Sequence, residues 1–83
     1  MGKELYEKIR RNPRNVRFKE LCKCAESFGF KLRGKRGSHR IYVRKGIMEM
    51  LNFQNVKGMV KSYQVRQFLK FIKKYRLQEG KNV

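Results

Sequence analysis

The spacing of hydrophobic and polar positions changes along the chain, and it predicts elements in the order α-α-β-β-β-α. Apolar residues in the first third recur at helical spacing. Leu5 and Ile9 mark a short polar helix over residues 2–11, which Asn12-Pro13 ends. A second helix is predicted from about residue 16 to 28, with a buried stripe made of Phe18, Leu21, Cys22, Ala25 and Phe28.

A two-residue alternation then predicts a three-stranded antiparallel sheet. The first strand begins at Phe30, and the loop 34–37 reverses the chain. The second strand opens at His39 and runs to Arg44. A tight turn at Lys45-Gly46 leads to a third strand over residues 47–53.

The same alternation predicts the two faces of the sheet. Ile41 and Val43 are expected to face the core, where a last helix over residues 62–76 packs. The helices are expected on one face, which gives an α+β fold. The opposite face is expected to carry a cationic surface with one aromatic: Lys31, Arg33, Arg40, Tyr42 and Arg44.

Composition adds a strong bias toward a polyanionic partner. The 83 residues hold 23 lysines and arginines against six acids, a net charge of +17, and nucleic acid is the simplest such partner. Residues 27–78 contain a single carboxylate, Glu49, whereas two-metal nucleases need clustered carboxylates. We therefore expect no metal and no other cofactor. Composition alone favours plain binding over catalysis.

The two cysteines and the lengths of the apolar segments indicate the cellular compartment of the protein. Cys22 and Cys24 lie two apart in a predicted helix, so they point to different sides and neither bridge nor share a metal. Reduced thiols fit a cytoplasmic protein. We see no signal peptide and no apolar run long enough to span a membrane, which also predicts a cytoplasmic location and no membrane partner.

The only histidine is the main candidate for chemistry. His39 follows the basic run Lys35-Arg36-Gly37-Ser38, and histidine changes charge near neutral pH. Strand alternation places it on the same side as Ile41 and Val43, where a packed histidine is the commoner outcome. Its place at the start of the strand allows it to open into a cleft.

The basic hairpin around His39 predicts phosphate binding. No acid is interspersed among its seven cations, so they repel one another unless a polyanion binds. These cations are Lys31, Arg33, Lys35, Arg36, Arg40, Arg44 and Lys45.

The run KRGSHRIY, residues 35–42, resembles the Gly-Ser-His hairpin of the HicA toxins of bacterial toxin–antitoxin systems. The preceding helix with its Gly29-Phe30 exit and the closing YQVRQFL segment, residues 63–69, are similar to the same family. The resemblance covers about residues 16–77. It favours three parts: residues 1–15 as an N-terminal helical extension, 16–78 as a HicA-like domain, and 79–83 as a disordered tail.

This resemblance implies a fold like the double-stranded-RNA-binding domain, ribonuclease activity on mRNA and a HicB-like antitoxin as partner. The catalytic histidine of the family maps onto His39. Members often carry a second histidine before the last helix, but residues 55–61 have none here. The second proton-transfer group is therefore left open between a lysine, Tyr42 and water.

The predicted mechanism uses the 2′-hydroxyl of RNA as nucleophile, with His39 as general base or acid. Lys35 and Arg36 would stabilise the charge of the phosphorane, and Tyr42 would stack on a base. The full predicted RNA-binding set is Lys35, Arg36, Ser38, Arg40, Tyr42 and Arg44. The rival interpretations are a non-enzymatic RNA-binding domain and, with less support because no helix-turn-helix is evident, a DNA-binding adaptor.

Overall fold

The computed structural model describes residues 2–77, with side chains from residue 4 onward, and it confirms the predicted α+β fold and element order. The predicted tail, residues 79–83, lies outside the described part. The elements are α1 Gly2–Arg11, α2 Phe18–Ser27, β1 Lys31–Arg36, β2 His39–Arg44, β3 Ile47–Gln54 and α3 Ser62–Lys74. The three strands form one antiparallel sheet in the order β1-β2-β3. No helix of the described residues is long and apolar enough to cross a membrane.

An aromatic core joins the helices to one face of the sheet. The ring of Phe68 on α3 lies edge-on to Phe28 at 6.0 Å and to Phe30 and Phe53 at 6.2 Å. Such edge-to-face pairs add to the free energy gained by burying the rings. Because these residues come from α3, the end of α2 and the sheet, the core fixes the helices on one side and leaves the other face of the sheet open.

The first helix packs on the outside of α2. Ile9 is buried in the core, and the ring of Tyr6 meets the edge of Phe28 at 5.1 Å. The Lys8 Nζ atom lies 2.6 Å from an oxygen of Glu20 at the start of α2. The N-terminal helix is therefore a packed part of the molecule.

The first hairpin is tighter than the sequence suggested. The predicted loop 34–37 is wrong, because β1 continues to Arg36 and only Gly37 and Ser38 form the turn. Gly37 has φ of +59°, a left-handed conformation that suits glycine. A register shift between Leu32 and Gly34 adds a residue to β1, which is why its alternation did not extend to the turn.

The two faces of β2 are the reverse of the prediction. Tyr42, expected on the open face, is 1% exposed in the core, and its hydroxyl donates to Glu26 of α2 at 2.9 Å. Ile41 and Val43, expected in the core, are half-buried. Arg40 and Arg44 lie on the helical side with Tyr42. Their long side chains extend to the edges of the core, where the charged groups reach solvent. The physical reason is that a tyrosine ring fills the core while its hydroxyl keeps a polar partner.

Candidate active site

The start of β2 holds His39 between two neighbouring strands. His39 pairs with Arg36 of β1 on one side and with Gln54 of β3 on the other. Just before it, the carbonyl oxygen of Ser38 accepts a hydrogen bond from the backbone N–H of Asn55 at 2.8 Å. The backbone that carries His39 is thus held on both sides, directly beside the hairpin turn.

The reversed faces place His39 on the open side of the sheet. The Nδ1 atom of His39 lies 2.9 Å from Oδ1 of Asn52. Asn52 pairs with Ile41, so it is the diagonal cross-strand neighbour of His39. An amide oxygen only accepts hydrogen bonds, so Nδ1 is the donor in the tautomer that fits this contact. In that tautomer Nε2 carries the lone pair that a general base needs.

His39 lines an open surface cavity of about 430 Å³. It brings together three residues predicted from the sequence, Lys35, Arg36 and His39. Gly34, Ile41 and Asn52 complete the lining, and none of the lining residues in the described part of the chain is acidic. Two cations beside an oriented imidazole form a cavity that suits a phosphate group.

A family model, that of the HicA toxins of bacterial toxin–antitoxin systems, matches residues 18–73. This chain belongs to the HicA toxin family. The match covers α2, the whole sheet with the His39 hairpin, and α3 except for its last residue, whereas α1 precedes it. Membership indicates a toxin whose general class of partner is an antitoxin. A search of curated proteins and one of solved structures found no match.

The other predicted residues of this HicA protein are distributed over different surfaces. Ser38 is exposed in the hairpin turn. The guanidinium of Arg40 lies 5.1 Å above the ring of Phe18, on the helical side, where it lines a separate cavity with Arg17 and Lys19. The predicted grouping of Arg40 with the open face is therefore wrong.

Arg44 is tied to the end of α2. Its Nε atom donates to the backbone oxygen of Phe28, the C-cap residue, at 2.8 Å. A cation at this position satisfies a carbonyl that the helix leaves unpaired and interacts favourably with the helix dipole. Arg44, predicted to bind RNA on the open face, therefore joins β2 to α2 on the helical side.

Tyr42 is removed from the RNA-binding set and from the candidates for proton transfer. Burial, followed by hydrogen bonds with Cys22 and Glu26, raises the pKa of the Tyr42 hydroxyl. A ring in the core presents no face to a base, and its hydroxyl points toward α2 rather than toward His39. The two-residue alternation does not show whether a tyrosine fills a core position or an exposed one, so it put Tyr42 on the wrong face.

The cysteines and carboxylates lie elsewhere. Cys22 and Cys24 are both buried and are not joined in a disulfide, and burial raises the pKa of the Cys22 thiol. Within residues 2–77, no three side chains of histidine, cysteine, aspartate or glutamate lie close enough together to hold a metal ion. Asn52 is the site residue that sequence reasoning missed. Its only signal was a polar position between Leu51 and Phe53.

Proposed function

We propose that this HicA-family protein is an endoribonuclease that cleaves mRNA in the cytoplasm without a metal ion, with His39 moving the proton. The observation that carries this proposal is the contact between His39 Nδ1 and Asn52 Oδ1 on the open face of the sheet. This contact holds Nδ1, so Nε2 is the nitrogen that we propose exchanges a proton with the substrate. The cations Lys35 and Arg36 line the same cavity, where a phosphate would sit.

In the proposed reaction, the 2′-oxygen of a ribose forms a bond to the adjacent phosphorus, and the bond from phosphorus to the 5′-oxygen breaks. His39 Nε2 takes the proton from the 2′-hydroxyl, or gives a proton to the departing 5′-oxygen in the protonated state. The products are a 2′,3′-cyclic phosphate and a 5′-hydroxyl. Positioned proton transfer of this kind contributes about 10²–10⁴-fold to a rate.

The two cations have a separate role in this mechanism. Negative charge increases on the phosphoryl oxygens in the transition state, and fixed positive charges there lower its energy. Lys35 and Arg36 are exposed residues of β1 at the cavity. Lys35 is also the candidate for the second proton transfer, with water as the alternative, since Tyr42 is buried on the other side.

The decisive experiment is cleavage of RNA in excess EDTA by the purified protein and by His39→Gln. We expect cleavage by the wild type, products that end in 2′,3′-cyclic phosphate, and loss of cleavage in the variant with RNA affinity retained. Gln54→Ala is a matched control, because Gln54 pairs with His39 across the strands but does not line the cavity. Strict dependence on added magnesium would overturn the mechanism.

The alternative function is that of a non-enzymatic RNA-binding domain. The same basic hairpin would serve it, but nothing would depend on the imidazole. The two proposals separate in one assay. Wild-type protein that binds RNA and leaves it intact, or His39→Gln that cleaves at the wild-type rate, would favour the binding domain.

We also propose that the antitoxin is HicB-like and covers the His39 cavity. The hairpin supplies positive charge, and Met48 and Met50 of β3 are 94% and 56% exposed, so both charge and apolar area are available for a partner. Hydrogen exchange on the complex should show protection at residues 34–44. Protection confined to α1 with cleavage still blocked would mean inhibition from a distance.

A further inference from the structure

A groove between α1 and α3 lies on the helical side of the sheet, whereas His39 lies on the open face. Its volume is about 750 Å³, the largest among the cavities described above. One wall comes from α1, which precedes the region that matches the HicA family. The groove therefore lies partly outside the matched region.

The lining of the groove combines an apolar floor with a cationic rim. Ile72 is buried, and Tyr6 and Leu69 are half-buried, so these three side chains form the bottom. The remaining lining residues are exposed cations: Arg10, Arg66, Lys70, Lys73 and Arg76. No acidic side chain lines the groove within residues 2–77.

The cations of the rim are poorly compensated within the molecule. Arg10 forms an ion pair with Glu7 at 2.6 Å, but the four cations contributed by α3 and its end form none with the described residues. Arg66 and Lys70 are four residues apart on one helix, a spacing at which like charges destabilise the helix. An anionic partner in the groove would remove this repulsion.

The floor distinguishes between a nucleic acid and a protein as occupant. A sugar-phosphate backbone is polar and gains little from contact with an apolar floor. The Tyr6 ring packs against Phe28, so it is not available to stack on a base. An amphipathic helix in a groove needs both an apolar floor and flanking charges of opposite sign. The observed lining meets both requirements for an acidic helix.

We propose that this groove binds an acidic amphipathic helix of a protein partner. Apolar side chains of the partner helix would rest on Tyr6, Leu69 and Ile72, and its flanking carboxylates would face the cations of the rim. This site is separate from the His39 cavity and does not depend on the chemistry proposed for it. In a toxin–antitoxin pair, the groove would bind the antitoxin whether or not another part of the antitoxin covers His39.

The test uses a fluorescent synthetic peptide of about 18 residues, long enough to form a helix, with leucines on one face and glutamates on the other. A control peptide has the same composition with the leucines scattered. Binding is measured by anisotropy for the wild type, for Lys70→Glu/Lys73→Glu, and for Lys23→Glu/Lys61→Glu. The last variant changes the net charge equally at exposed positions outside the groove.

We expect the amphipathic peptide to bind the wild type in the micromolar range. The groove variant should bind it ~10-fold more weakly, while the control variant stays within ~2-fold, because close opposite charges outweigh the general field. Both variants should keep the wild-type circular dichroism spectrum and equal affinity for RNA. The scattered peptide should bind weakly to all three proteins.

Other results would overturn the proposal in recognisable ways. Equal binding of both peptides, or equal losses in both variants, would mean diffuse attraction to a basic protein. No binding of the amphipathic peptide would rule out the helix site. Loss of RNA affinity in the groove variant alone would mean that the groove takes RNA. None of these results bears on cleavage by His39, which is measured separately.

Discussion

Asn52 holds the imidazole of His39 from the neighbouring strand, so its predicted contribution is to orientation. We expect Asn52→Ala to lower the rate of RNA cleavage by about 10- to 100-fold with RNA affinity unchanged, because a misplaced catalytic group reacts far less often. Single-turnover cleavage and anisotropy on the same RNA measure the two quantities separately.

A conservative variant makes this prediction specific. Asn52→Gln keeps a neutral amide oxygen that can accept the Nδ1–H of His39, so it should retain more of the activity than Asn52→Ala does. If both variants cleave at the wild-type rate, the contact has no catalytic role. If both lose RNA affinity in parallel with cleavage, Asn52 binds the substrate and does not position the histidine.

The buried Tyr42 gives a second prediction at this scale. Tyr42→Phe keeps the ring and removes the hydroxyl with its hydrogen bonds to Glu26 and Cys22, so it should reduce the free energy of unfolding by about 1–2 kcal/mol. Tyr42→Ala leaves a cavity and should cost about 3–5 kcal/mol. Urea denaturation measures both. RNA affinity and cleavage by Tyr42→Phe should match the wild type, and a selective loss of RNA affinity there would return Tyr42 to the binding surface.

The helices were the elements that the sequence predicted best, because a buried stripe at helical spacing leaves little choice of face. All five stripe residues of α2 and its end, from Phe18 to Phe28, are in the core. In α3 the apolar residues at helical spacing are also inward: Val65, Phe68 and Ile72 are buried, and Leu69 is half-buried. The reason is that a helix with one apolar side packs in only one orientation.

The orientation of strand β2 was harder to predict, because both of its faces carry apolar atoms. The alternation correctly put His39, Ile41 and Val43 on one side, but it did not decide which side the helices cover. Which side of β2 the helices cover depends on residues far away in the sequence, such as the α2 carboxylate that accepts a hydrogen bond from the Tyr42 hydroxyl. The contact between His39 and Asn52 depends on the register between β2 and β3. The pattern of residues within one strand does not determine that register.

The junction between α1 and α2 predicts a pH-dependent contribution to stability. The Glu20 carboxylate accepts a hydrogen bond from Lys8 at 2.6 Å and one from the backbone N–H of Arg17 at 3.2 Å. The Lys8 contact is the main cause that lowers the pKa of Glu20 below its ordinary value of 4.5. A lowered pKa means that the folded state favours the ionised carboxylate. The stabilisation is therefore complete above the ordinary value and is lost as pH falls through the lowered one.

We expect Glu20→Gln to reduce the free energy of unfolding by about 0.5 kcal/mol near neutral pH, because it removes the negative charge beside Lys8 and the start of α2, while the amide oxygen of glutamine still accepts from the Arg17 N–H. The Lys8 side chain is 65% exposed, so solvent weakens the ion pair and the effect stays small. In urea denaturation the difference from wild type should shrink in acid. Glu4→Gln, the same change at an exposed position of α1, is the control, and an equal effect there would refute the assignment to the junction.

For the whole molecule, the placement of the glutamates matters more than the net charge of +17. Glu7, Glu20 and Glu49 form ion pairs with cations of α1 and α3, and Glu26 accepts from Tyr42. All of these contacts lie on the helical side. Within residues 2–77, Lys35 and Arg36 beside His39 form no ion pair with a glutamate, so the open face keeps a positive charge that attracts a polyanion.

This charge distribution predicts which cations of the protein determine how RNA affinity depends on salt. Each phosphate contact on single-stranded RNA releases counterions and adds about 0.7 to the slope of log affinity against log salt. Lys35→Gln/Arg36→Gln should therefore lower the slope by about 1.4. Lys70→Gln/Lys73→Gln removes the same charge from α3 and should leave the slope nearly unchanged, because those residues face the groove on the other side. Equal reductions in the two variants would mean that RNA responds to the total charge and that the His39 cavity is not its main binding site.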